Sequence, residues 1–437
     1  MSSSQTPHEY SDTSTAAIEM NPNAPAKPKW NASDSTWTIS LFGTAIGAGI
    51  LFLPINAGSG GVWPLLLATI VIWPMIYFSH RALSRMVCAS QNPDSDITNL
   101  TEQYFGVSIG RIFTVLYFCS IFPVLLIYGV GITNTVNSVM VNQLGMDPWP
   151  RWLLSGILVA VLTGVMLMNQ KIMLTITNAL VYPLILILLA VSVYLIPRWS
   201  FDSFSQAPSL GDFTLTFWLM LPVLVFSFYH APAISQFSVS MRERYGLQSA
   251  AKASQILRAT STILVVFTMI FVWSCVLALG SEGVQEARES NLPILSFLAN
   301  ELDAPFIEIL GPIVAITAIS SSYFGHWLGA HEGAMGIIRS NFKTEEKGIS
   351  KNKVSLAVSV VLFFCVWIAA ILNPSILGLI ETLVGPIMAV VLFLMPMYAI
   401  HKVEVLAPYR GKLTNVFVVI AGLAAFSAIV YKLGDLF

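Results

Sequence analysis

Two short stretches hold the residues best suited to chemistry. Gly43 to Gly49 reads GTAIGAG, with Pro54 beyond it, and Phe226 to Ser235 reads FSFYHAPAIS, where Pro232 removes a backbone donor. Each stretch lies inside an apolar run. Glycine weakens a helix by about 1 kcal/mol relative to alanine, so both runs are expected to break. Unwound backbone inside a bilayer is tolerated only where it faces a ligand, protein or a wet cavity. In the first break, the amides of Gly47, Ala48 and Gly49, beside Thr44, would head a half-helix whose positive end can hold a carboxylate. In the second, carbonyls near Phe226, Ser227 and Phe228 would accept from an ammonium group. Amides on one side and carbonyls on the other suit a zwitterionic amino acid. The competing reading is close helix packing through Gly43 and Gly47, four residues apart.

Other polar residues inside the runs extend this set. Tyr128 is placed to donate to a substrate carboxylate. Glu332 and Glu381 are the acidic residues well inside apolar runs, and a carboxylate in a bilayer is costly and usually functional. Glu381 is expected near the outer end of its run, to gate a vestibule or take up a proton. His230 sits on the second break and His326 in the eighth run, and imidazoles titrate near neutral pH. Ser320, Ser321 and Ser322 either bond back to their own helix or coordinate a cation. Ser321 and Ser322, with the backbone near Ile46, form a candidate sodium site. His326 and His331 are five residues apart, not the four of a zincin motif. Neither a nucleophile–base set nor a phosphate-binding loop is apparent, so an enzyme or an ATP-driven pump is not expected. A channel would more naturally show a filter or a ring of charge. No cofactor is expected, only a coupling ion, H+ or Na+.

These residues must be held by membrane helices. The 437-residue chain is 55% hydrophobic and 10% charged, with a mean hydropathy of +0.74; soluble domains average about 25% charged residues. Lipid must therefore be the solvent for most of its surface. A formal net charge of −1 argues against a nucleic-acid partner, and nothing in the sequence sets an oligomeric state. Residues 1–35 are rich in Ser, Thr, Pro and Asn and read as a disordered cytoplasmic tail, not a signal peptide. The transmembrane domain is expected over 36–437, with apolar runs near 37–57, 62–83, 111–139, 152–169, 172–197, 214–239, 256–280, 306–337, 353–372, 375–400 and 413–433. An N-terminus in the cytoplasm puts only Arg151, Arg198, Arg288 and Lys432 outside and leaves eighteen of the 22 basic residues inside. The C-terminus is then periplasmic. The breaks fall in runs one and six. Five spans is an odd number, so the second five start from the opposite side. Interrupted helices at matching positions of two inverted halves mark a central binding site. The expected fold is all-α, a 5+5 inverted repeat (about 37–197 and 214–400) with an extra helix at about 413–433.

GTAIGAGILFLPINAG from Gly43, GITNTV from Gly131, VFSFYHAPAIS from Val225, GHWLGAHEG from Gly325, LNPSILGLIETLVGPI from Leu372 and LFLMPMYAIHKV from Leu392 together resemble the serine-transporting members of the hydroxy/aromatic amino acid permease family, in the amino acid/auxin permease branch of the APC superfamily. The resemblance implies eleven spans of the LeuT type in a bacterial inner membrane and ion-driven uptake of an amino acid, with serine as substrate and the proton as coupling ion. Sodium-coupled symport of serine or of other neutral or aromatic amino acids is the alternative. The residues themselves specify only a zwitterion of unspecified side chain.

Overall fold

The computed structural model describes residues 29–90, 97–168, 170–205, 207–301, 305–342 and 350–434. Residues 1–28 of the expected tail lie outside that set. Every expected apolar run falls on helix. Run one is α1 (Ala32–Ala45) and α2 (Ala48–Ser59), bent by 55° at the GTAIGAG stretch. Then come α3 (Val62–Cys88), α4 (Ile97–Ser138), α5 (Arg151–Met166) and α6 (Gln170–Leu195). Run six is α7 (Leu210–Ser227) and α8 (Ala231–Tyr245), parted at Phe228–His230. The rest are α9 (Ser249–Glu289), α10 (Ile294–Glu301), α11 (Pro305–Phe342), α12 (Lys351–Leu372), α13 (Ile376–Lys402, with two π-helical turns) and α14 (Leu413–Gly434). Among the described residues, eight helical stretches are long and apolar enough to span a bilayer. The bent α1–α2 pair makes a ninth, and α5 and the apolar part of α14 are shorter.

Two regions differ from the sequence expectation. The helix of run three begins at Ile97 rather than near 111, turning at Gly106. The expected outer loop 281–308 is largely helical: the chain turns at Gly280, resumes helix to Glu289, and adds α10. Both corners use a glycine with positive φ (79° and 67°), a conformation costly for residues with a Cβ. Hydropathy could not register these segments because they lie beside the spans rather than in them.

Lipid tails offer helices no hydrophobic incentive to associate, so small residues that permit close approach carry much of the packing. A Cβ on Gly385 of α13 would lie 2.5 Å from the Pro222 carbonyl oxygen of α7, and one on Gly129 of α4 would lie 2.5 Å from Val366 of α12. The outward face stays apolar: Leu186, Val193, Val361 and Ile420 are all more than half exposed. The broken helices occupy the middle. There α2 packs on α7 and α9, and α11 packs along α4 and touches α1, α2 and α8.

Candidate functional site

The two breaks meet. Gly49 lies so close to α7 that a Cβ there would stand 2.5 Å from the Ser227 Cα and 3.2 Å from the Phe226 carbonyl oxygen. The Ser227 hydroxyl donates to the Gly49 carbonyl at 2.9 Å and to Val223 at 2.7 Å. It therefore ties the two broken helices together. Gly47 faces the other way, and a Cβ on it would run into Ser322 of α11 and approach the Tyr128 hydroxyl at 2.9 Å. Gly47, Tyr128 and Ser322 thus converge on one point, with α2 beginning at Ala48 immediately beyond. Phe226 and Phe228, at the end of α7, are buried.

Of the three serines, Ser322 bonds to the first break. Its hydroxyl donates to the Ile46 carbonyl at 2.9 Å and to that of Thr44 at 3.3 Å. Ser321 instead donates to Ala318 of its own helix. Ser320 is buried. The Thr44 hydroxyl donates to Ser40, one turn back in α1. The oxygens that meet at the first break are the Ser322 hydroxyl and the Ile46 and Thr44 carbonyls. Among the described residues no group of three or more His, Cys, Asp or Glu side chains is placed to bind a metal.

The second break carries a histidine pair that sequence reasoning had only half seen. His230, at the N-cap of α8, stacks on His80 of α3 with ring centroids 3.6 Å apart and planes 4° from parallel. Both rings are fully buried. His80 Nδ1 lies 2.9 Å from the Ile76 carbonyl and His230 Nδ1 lies 3.0 Å from that of Phe228. A carbonyl can only accept, so both Nδ1 atoms carry hydrogen. His80 Nε2 then accepts the His230 backbone N–H at 3.2 Å. His230 Nε2 is left buried with no hydrogen-bond partner among the described residues. His80 stands beside Arg81 near the end of the second apolar run and was not singled out from the sequence. His326 is bonded through Nδ1 to the Ser322 carbonyl and meets Tyr128 edge-on at 5.3 Å. Tyr229 stands 6.4 Å from both His80 and His326, its hydroxyl 3.1 Å from that of Ser120.

Glu381 lies apart from this centre, in a π-helical turn of α13. Arg288, at the end of α9, donates to its two oxygens at 3.0 and 3.1 Å, and Asn56 of α2 donates at 2.8 Å. The carboxylate is buried and the guanidinium about one-third exposed. At the opposite end of the broken helix, Asp34 of α1 forms a buried ion pair with Lys252 of α9. Lys252 Nζ also donates to the Lys29 carbonyl at 2.8 Å, Tyr245 donates to Asp34 at 3.3 Å, and Asn31 donates to Tyr245 at 2.7 Å. Sequence reasoning missed this cluster because Lys252 was counted as a loop charge.

The tryptophan/tyrosine permease family model matches residues 35–431. The chain is 45% identical over 431 residues to the serine transporter SdaC of Escherichia coli (strain K12), covering 97% of this chain and 99% of that protein. The serine transporter SdaC of Shigella flexneri gives the same figures. Among solved structures, MhsT in complex with L-phenylalanine superposes with a TM-score of 0.56 at 13% identity, over 94% of this chain and 100% of the other. A mutant of the Eremococcus coleocola manganese transporter gives 0.55 at 14% identity, over 94% and 90%. These likenesses identify the architecture as the LeuT-type 5+5 inverted repeat with an additional helix. With broken helices crossing at its centre and a family match along nearly its whole length, the chain is a multi-pass membrane protein belonging to the tryptophan/tyrosine permease family, a family of amino acid transporters rather than enzymes.

Proposed function

We propose that this protein is a proton-coupled transporter of L-serine and similar small hydroxy amino acids, working by alternating access in a bacterial inner membrane. The observation that carries the substrate is the 45% identity, over nearly full length, to transporters named for serine. The meeting of the two breaks at Gly49 and Ser227 supports a central zwitterion site. Thr44, Gly47, Ala48, Gly49, Tyr128, Phe226, Ser227 and Phe228 are its proposed lining. The proposed repeats run over about 37–197 and 214–400 with an extra helix at about 413–433, in the amino acid/auxin permease branch of the APC superfamily. The distribution of Lys and Arg supports a cytoplasmic N-terminus and a periplasmic C-terminus.

The unpartnered His230 Nε2 supports the proton. A proton taken there adds a hydrogen-bond donor to a buried nitrogen that has no acceptor among the described residues. Proton binding therefore pushes the second break out of the present arrangement, which is what coupling requires. The pairing of Glu381 with Arg288 and Asn56 supports a gating role for that carboxylate instead. A second reading, sodium coupling, rests on the Ser322 hydroxyl and the Ile46 and Thr44 carbonyls.

Radiolabelled serine uptake into proteoliposomes tests the choice. An inward proton gradient in sodium-free buffer is expected to drive concentrative uptake, and His230→Asn, which keeps a donor in the Nδ1 position but lacks Nε2, is expected to lose that response. Concentrative uptake driven by sodium alone, at equal pH and zero membrane potential, overturns the proton assignment.

A further inference from the structure

A cluster of cations with no ion-paired carboxylate among the described residues lies where α3, α9 and the chain before α14 meet, on the membrane face where α1 begins. Arg81 and Arg85 come from the last turns of α3, Arg258 from α9 and Lys412 from the residue before α14. The Arg85 guanidinium stands 4.4 Å above the Tyr409 ring and Lys412 Nζ 5.7 Å from the same ring, while Arg81 covers Tyr77 at 4.9 Å and Phe78 at 4.8 Å. Arg81, Arg85 and Lys412 thus lie over aromatic faces, and Arg81 also donates to the Thr414 hydroxyl at 3.5 Å. Burial and the neighbouring Arg85 and Arg81 charges lower the Lys412 ammonium below the usual lysine range, the mark of positive charges held together.

A cleft of about 310 Å³ opens within the cluster, lined by Tyr77, Arg85, Ser254, Gln255, Arg258 and Tyr409, among others, and by no acidic residue. Beside it runs a second groove of about 470 Å³, lined by Trp30, Trp73, Thr262 and Ile263. Gln255 and Arg258 line both, so the two are continuous. The first has the charge and hydroxyls to hold a phosphodiester. The second is aromatic and aliphatic and suits an acyl chain. Basic pockets between helices at a membrane face are the known chemistry of anionic headgroup recognition. A zwitterionic headgroup would bring its own ammonium into the same cations.

We propose that this composite cleft is a binding site for an anionic phospholipid, its phosphodiester between Arg85 and Arg258 and one acyl chain along Trp73 and Ile263. The site is separate from the transport centre and does not depend on the substrate or the coupling ion.

The test is native mass spectrometry of the full-length protein in detergent, offered dioleoyl phosphatidylglycerol and dioleoyl phosphatidylcholine in equal amounts. The protein is expected to retain phosphatidylglycerol in clear preference. Each basic residue near a membrane surface contributes enough that its loss costs about fivefold in anionic-lipid affinity. Arg258→Gln, on an exposed side chain that folding does not need, is therefore expected to lower retention about fivefold, and Arg85→Gln/Arg258→Gln about 25-fold, close to the phosphatidylcholine level. Unchanged retention in Arg258→Gln overturns the proposal, as does equal retention of the two lipids by the unaltered protein. Displacement of the lipid by soluble glycerol 3-phosphate would assign the cleft to a free phosphate and overturn the lipid.

Discussion

The Ser322 hydroxyl lies 2.9 Å from the Ile46 carbonyl oxygen, joining α11 to the unwound end of α1. That one bond separates the two coupling readings. As a neutral hydrogen bond it contributes about 0.5–1.5 kcal/mol. With proton coupling, Ser322→Ala should keep proton-driven uptake with at most about a tenfold loss in efficiency. Uptake at graded proton gradients checks this, and a variant whose sodium stimulation disappears while a wild-type one exists would favour the cation site.

Gly49→Val should abolish uptake while the protein still reaches the membrane. The added side chain collides with the Ser227 backbone, 2.5 Å from the new Cβ, so the crossing of α2 and α7 must open. Immunodetection of the membrane fraction beside uptake measures both halves. Full uptake in this variant would refute the close crossing.

Substrate charge offers a test that leaves the protein untouched. Serinol and serine methyl ester lack the carboxylate and should compete poorly with labelled serine. Strong competition by either would remove the amides of Gly47 and Gly49 as the anchor.

Glu381→Gln should change the rate of uptake but not the pH at which it is half-maximal. The carboxylate accepts from Arg288 and Asn56 and acts as a latch between α13, α9 and α2. A displaced pH profile in this variant would return Glu381 to proton carriage.

Lys252→Ala should destabilise the protein strongly, by about 3–5 kcal/mol, because it strands Asp34 in a buried site. Replacing both partners, Asp34→Leu with Lys252→Met, should recover most of that loss. Unfolding midpoints in detergent compare the three proteins. A single variant as stable as wild type would show that the pair carries no buried charge.

The breaks were legible because glycine and proline act locally, and the spans because a bilayer demands an apolar run. What the residues do across the breaks was not. Ser227 and Ser322 were singled out as ligand groups, and the bond each makes from a neighbouring helix to the first break could not be read from the sequence. The His80–His230 stack joins positions 150 apart and the Asn56–Glu381 bond positions 325 apart. Such pairings are fixed by how helices cross, which residue type and spacing do not encode. Glu381 was found from its cost alone, whereas Arg288 stood in a stretch read as loop.

The bend between α1 and α2 gives run one an elbow between two tethers. Its α1 arm is anchored by Asp34 to Lys252, its α2 arm by Asn56 to Glu381. A straight rod released at one end would drag the other with it. A jointed one transmits little torque, so either arm can swing while its counterpart stays moored. The two ends of one span can then move independently of each other.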